Sequence, residues 1–146
     1  MNLPAPGEDI LNSMGLRSVI SATGTVTAYG GSRLRPEIMD AMNRASNTMV
    51  NIDELNVAAG NIIAKHTGAQ AGLVTSGAAG GLILQAAAVI AGNDRAKMKM
   101  LPDTQGLKRD IIIHKSHRFP YDQCYVSVGA KFVEIGDGRR CQEWEL

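Results

Sequence analysis

Apolar positions along this chain come in runs of two lengths. Residues 71–75, 111–114 and 131–135 are short apolar runs of strand size, while residues 36–46, 51–68 and 78–91 are longer and carry a helical stripe or an Ala/Leu-rich core segment. Pro36 suits the first position of a helix with Arg35 held extended before it, and Ile38, Met39, Met42 and Ala45 then share one face. Asn51 with Glu54 three residues on resembles a capping box, and Leu55, Ala58, Ala59, Ile62 and Ile63 carry the apolar stripe as far as Gly68. His66 falls in the last turn of that helix, where the dipole favours a cation and a capping role. The segment 78–91 stops at Gly92. Between these elements, residues 2–7 read as an arm and 8–14 as a short helix. Residues 19–32 read as an edge strand with a turn, or as a hydroxyl-rich loop lining a polar pocket. A surface connection over 93–108 holds a helical turn at 94–100 and a bend at Leu101-Pro102-Asp103-Thr104, and a short helix is expected over 122–128.

Strands separated by helices predict an α/β fold with a parallel sheet and right-handed crossovers. Three strands with both edges open would end a domain poorly, and Trp144-Glu145-Leu146 reads as the opening turn of a further helix. The expectation is an arm over 1–20 followed by an incomplete domain over 21–146.

Composition narrows the function. A length of 146 residues with 45% hydrophobic content suits a domain with a core. Net charge is +1 and basic residues never run beyond pairs, so no electrostatic footprint for nucleic acid or an anionic membrane is present. No apolar stretch approaches the roughly 20 residues that span a bilayer, and the first 15 or so lack the order of a signal peptide. A cytoplasmic protein with a small soluble ligand is expected. Cys124 and Cys141 are expected to be free thiols, and neither stands at metal-type spacing from the three histidines.

Candidate chemistry centres on Thr75-Ser76-Gly77-Ala78-Ala79-Gly80-Gly81, where an apolar run breaks into small residues and becomes the helix 78–91. A helix N-terminus presents unpaired N–H groups and about half a positive charge, which suits an anion. Ser76 adds a hydroxyl donor. A dinucleotide fingerprint would need Gly at position 75 and a P-loop would need Gly-Lys-Ser/Thr, so neither applies. Two readings stay open at this point: the glycines admit a phosphate, or they let the helix pack on the sheet.

Six motifs in order extend this picture: Ser21-Ala22-Thr23-Gly24-Thr25-Val26-Thr27, Gly30-Gly31-Ser32, Asn51-Ile52-Asp53-Glu54-Leu55, Thr75-Ser76-Gly77-Ala78-Ala79, Leu101-Pro102-Asp103-Thr104 and His117-Arg118-x-x-Tyr121-Asp122. Together they resemble the selenocysteine-synthase-like family of pyridoxal-phosphate enzymes, most nearly its glucosaminate-phosphate ammonia-lyase-like branch, from about residue 16 to 137. The resemblance implies a three-layer α/β/α fold, the amino-terminal part of the large domain of an aspartate-aminotransferase-type enzyme with a mostly parallel sheet. It implies pyridoxal 5'-phosphate as cofactor, its phosphate on Ser76, Gly77, Ala78 and Ala79 and its ring against His117. Thr25 and Thr27 would face substrate, across a homodimer interface, and Arg118 would meet a substrate anion. The implied activity is α-deprotonation and β-elimination on an amino acid or amino sugar acid. The alternatives are selenium transfer on a charged tRNA, which the nearly neutral charge disfavours, and a non-catalytic module binding a phosphorylated ligand or a partner chain. In the family the Schiff-base lysine and the aspartate that pairs with the pyridine nitrogen lie on later strands. None of the six lysines here stands at a matching position, Lys115 included, so no catalytic base is assigned.

Overall fold

The computed structural model describes residues 8–146. The chain divides into two compact units, Met1–Val50 and Asn51–Leu146. The expected arm at 2–7 lies outside the described residues.

In the first unit, α1 (Glu8–Ser13) and α2 (Pro36–Ala45) flank an irregular stretch. Pro36 opens α2, and Arg35 is extended at ψ 150°, because the proline ring bars the helical conformation before it. Between the helices, Thr27–Tyr29 form a single 3-10 turn clasped by an isolated antiparallel bridge from Val26 to Gly31. Residues 19–32 form a loop and no strand of a ladder beyond that bridge. Ser21 Oγ donates to the Gly24 carbonyl at 3.0 Å, a local bond of the kind that competes with strand pairing.

In the second unit, α3 (Ile52–Thr67) starts at Asn51, whose side chain accepts from the N–H groups of Asp53 (2.9 Å) and Glu54 (3.3 Å), and ends at Gly68 in the left-handed conformation. α4 (Ala78–Ala91) has the bounds the sequence predicts, and α5 (Arg95–Met100) is capped by Asp94. β1 (Asp110–His114) and β2 (Lys131–Ile135) pair in parallel, with Ile111 opposite Phe132 and Ile113 opposite Glu134. α6 (Asp122–Val126) lies on the connection between them, since parallel neighbours need a crossover. Residues 143–145 form a 3-10 turn with a capping box on Gln142.

α4 packs against α6 and α5, and the buried hydrophobic residues Ala86, Ile90, Ala91 and Ala130 gather there. Thr104, in the predicted bend, is 1% exposed. Its hydroxyl donates to the Gly129 carbonyl at 2.8 Å and accepts from Arg109 at 3.2 Å, tying that bend to the turn before β2. Among the described residues no helix is long and apolar enough to cross a membrane, and no cluster of three or more metal-type side chains occurs.

Two expectations are corrected. Among the described residues, 71–75 carry no regular secondary structure and belong to no ladder, and the sheet has two strands. Apolar character gives a segment the means to be buried, whereas a strand also needs a neighbouring backbone, and among the described residues none pairs with it. The expected stripe on α3 is only in part its packing face. Leu55 is 52% and Ile62 61% exposed, whereas Ile63 lies against Gly72 beside the contacts that Asn56 and Gly60 make with 71–75.

Candidate functional site

The stretch leading into α4 is held by α3. Gly60 and Gly72 meet backbone to backbone: a Cβ on Gly72 would lie 2.7 Å from the Gly60 carbonyl oxygen and 2.9 Å from Ile63 Cβ, and a Cβ on Gly60 would strike the Gly72 carbonyl. One turn earlier on α3, Asn56 reaches Val74. Its Oδ1 accepts from the Val74 N–H at 3.0 Å and its Nδ2 donates to the Val74 carbonyl at 3.1 Å.

Beyond Val74 the chain turns. Thr75 Oγ1 donates to the Gly77 carbonyl at 2.9 Å, and Gly77 takes φ 140° and ψ 175°, a conformation closed to L side chains. A Cβ on Gly80 would come within 2.8 Å of Ser76 Oγ, so the Ser76 hydroxyl lies over the first turn of α4. Gly81 lies against Thr75 Oγ1, at 3.6 Å from its own hypothetical Cβ. The two glycines therefore face the loop's own hydroxyls. No side chain caps α4, in contrast to α3 and α5, and its first turn holds no acid, in contrast to α3. The first backbone bond of the helix is Gly81 N–H to the Gly77 carbonyl, and the N–H groups of Ala78, Ala79 and Gly80 precede it. Ser76, Gly77 and Ala78 are exposed and Ala79 is half-buried. Three N–H groups, one hydroxyl and the positive end of a 14-residue helix form a donor set that fits a phosphate group.

The second predicted cluster follows β1. Lys115–His117 form a 3-10 turn. His114 Nδ1 lies 2.7 Å from Ser116 Oγ and accepts from the Ser116 N–H at 3.2 Å. His117 is exposed, with its ring centroid 5.2 Å from that of His114. Among the described residues no hydrogen bond, ion pair or ring contact joins His117 to residues 76–79. Arg118 donates from Nε to Asp122 and from NH1 to Glu134, and its guanidinium lies 4.7 Å above the Phe132 ring. The hydrogen bond to Asp122 leads in raising the guanidinium pKa above its usual value. Asp122 is 5% exposed and its Oδ1 has no hydrogen-bond partner among the described residues. Arg118 can therefore reach a substrate anion only with its remaining donors or by releasing a carboxylate. Thr25 and Thr27 belong to the Met1–Val50 unit, and the other predicted residues to Asn51–Leu146.

Farther along the same edge, Asp137 accepts from the N–H groups of Arg139 (2.6 Å) and Arg140 (2.7 Å). Those two bonds, with a smaller contribution from His114, hold its carboxyl below the usual range. An apolar groove of about 340 Å³ lies between α4 and β1, lined by Ala86, Val89, Ile90, Ile111 and Phe132, and it includes neither residues 76–79 nor His117.

With this geometry in place, comparison with known proteins is decisive on one point. The chain is similar to an ammonia lyase. It is 32% identical over 142 residues to D-glucosaminate-6-phosphate ammonia lyase of Salmonella typhimurium, covering 94% of this chain and 38% of the lyase. A solved structure of D-glucosaminate-6-phosphate ammonia-lyase superposes with a TM-score of 0.88 at 32% identity, over the same shares of both chains. At 31% identity over 126 residues, 86% of this chain also matches 5'-C-glycyluridine monooxygenase-decarboxylase of a Streptomyces species, covering 31% of that protein. The chain thus spans about a third of the length of the curated relatives it matches. No known family profile matches it. Sequence reasoning missed Asn56, and the one available signal was an amide in mid-helix one turn before Gly60.

Proposed function

We propose that this chain carries the phosphate-holding part of a pyridoxal-phosphate-dependent lyase in the selenocysteine-synthase-like family, with the three-layer α/β/α architecture of that group. The observation that carries the reading is the start of α4, uncapped by any side chain and led by Gly77, with the Ser76 hydroxyl over its first turn. It lies within a stretch that matches the ammonia lyase at 32% identity. Ser76, Gly77, Ala78 and Ala79 hold the phosphate in this reading, His117 lies against the ring, and Thr25, Thr27 and the remaining donors of Arg118 meet substrate. Pyridoxal phosphate, when bound, supplies an electron sink that lets an α-proton depart and a β-substituent follow. In the family that the sequence resembles, the lysine and aspartate that complete such a site lie on later strands, and the residues named here bind and orient.

Substrate class is better supported than reaction. The compounds in the names of the two relatives, a lyase and a monooxygenase-decarboxylase, are both α-amino acids with a sugar-derived, hydroxylated side chain. We assign that class here, with catalysis in a cytoplasmic homo-oligomer and no role for nucleic acid or membrane. A non-catalytic phosphate-binding module would keep the same loop.

Ligand protection tests the assignment. A ligand that binds only the folded chain stabilises it by about 1.4 kcal/mol at ten times its Kd. Pyridoxal phosphate, inorganic phosphate and sulfate are expected to raise the Tm, and pyridoxal lacking its phosphate is not. Equal protection by pyridoxal, or none by any of the anions, would remove the phosphate site.

A further inference from the structure

We propose that Asn56 is a positioning residue for the anion loop, holding Val74 from α3 and thereby setting where Thr75, Ser76 and Gly77 place the start of α4. This rests on the phosphate reading above. One carboxamide satisfies both backbone groups of Val74, at 3.0 and 3.1 Å, two residues before Ser76. A neighbouring strand would supply the same pair of bonds, but residues 71–75 have no ladder partner among the described residues. The helix therefore takes the place of a strand, and only a side chain carrying one donor and one acceptor at its tip can do this.

The contact is directional. Asn56 meets Val74, while Gly60, one turn on, meets Gly72, so the segment runs antiparallel along one face of α3 and is fixed at two points. From Val74 the constraint passes through Thr75, whose hydroxyl bonds the Gly77 carbonyl at 2.9 Å, to the N-cap of α4. A shift at Val74 moves the hydroxyl and N–H groups that would face the anion.

Changing Asn56→Asp converts this placement into a pH signal. An ionised Asp keeps an acceptor for the Val74 N–H but turns an anionic oxygen toward the Val74 carbonyl. A protonated Asp restores one donor and one acceptor. The hollow beside position 56 is lined by Asp53, Val57, Gly72 and Leu73, so Asp53 is the one titratable group there, and its charge also disfavours the ionised form. Both effects raise the carboxyl pKa above its ordinary value of about 3.9. The intact contact is thus present below the raised value and is lost as pH rises through it.

Sulfate is the probe, because its charge does not change in this range. Its Kd is measured by titration calorimetry on the full 146-residue chain, for wild type, Asn56→Asp and Asn56→Ala, from about pH 5 to about pH 8. The expected result is binding to Asn56→Asp about five- to tenfold weaker than wild type at the upper limit, the loss of one or two hydrogen bonds, with the gap closing toward the lower limit. Asn56→Ala is expected to bind more weakly at every pH, with a ratio to wild type that does not close. It also keeps the test open if the aspartate variant unfolds when ionised. Wild-type affinity in both variants, or parallel pH profiles for all three proteins, would overturn the positioning role. Failure of wild type to bind sulfate would instead overturn the anion site on which it rests.

Discussion

Ala78→Asp separates an anion site from a merely well-packed helix start, because the two predict opposite signs. Ala78 is the first residue of α4, is exposed, and follows a cap with no side-chain bond and a first turn with no acid. Without ligand, a carboxylate at the positive helix end stabilises by about 0.3–1 kcal/mol, less a propensity cost of similar size, so the Tm should hardly move. With a dianion on the N–H groups the balance reverses. Two charges about 4 Å from the new carboxylate repel it by about 2 kcal/mol at the dielectric of water, and by more in a less polar site. That weakens binding about 30-fold or more. At a phosphate concentration of ten times the wild-type Kd, protection of about 1.4 kcal/mol should then fall to about 0.2 kcal/mol. In a chain of this size the first figure is a Tm rise of about 4 °C and the second is under 1 °C. The assay is a thermal melt followed by circular dichroism with and without phosphate. Undiminished protection in a variant of normal helicity would show that the anion binds elsewhere and would return the loop to a packing role.

Local signals place the helices well, because their ends are written in single residues. Pro36, Asn51, Gly68, Asp94 and Gly92 each fix a terminus by sterics or by a cap, with no need of distant partners. The strands divided on the same principle. Residues 110–114 and 131–135 find each other, whereas 71–75, no less apolar, has no ladder among the described residues because its pairing depends on a backbone that local composition does not specify. Asn56 was illegible for a related reason: an amide in a helix looks like a solvated position until the segment 18 residues later is brought against it. Composition leaves the loop's glycines free to admit a ligand or meet the sheet, and in the structure the near neighbours of Gly80 and Gly81 are Ser76 and Thr75. That arrangement follows from the turn at Gly77, a backbone geometry that residue type permits but does not dictate.

Two further predictions concern acid and association. Asp137 has its carboxyl held below the ordinary range by the N–H groups of Arg139 and Arg140, so its bonds are intact above the usual carboxylate pKa and lost as pH falls through the depressed one. Amide exchange at Arg139 and Arg140 should therefore accelerate below about pH 4, and unchanged protection there would show that the turn does not depend on the charge. Association follows from exposure. A compact monomer of 15.5 kDa presents about 7,200 Å² to solvent, and two separate compact units of 50 and 96 residues would present about 8,600 Å². This chain presents 12,539 Å², with Ile52 at 68%, Leu73 at 59% and Val89 at 77% exposure. Apolar area on that scale, together with the segment 71–75, which has no ladder among the described residues, recruits other chains. A second copy is the occupant always available to the isolated protein, so the 146-residue chain is expected to sediment as a dimer or larger species at micromolar concentration and to melt with low cooperativity. A monomer with a sharp transition over the whole concentration range would mean that these faces close on one another within one chain, and the argument from exposed area would fail.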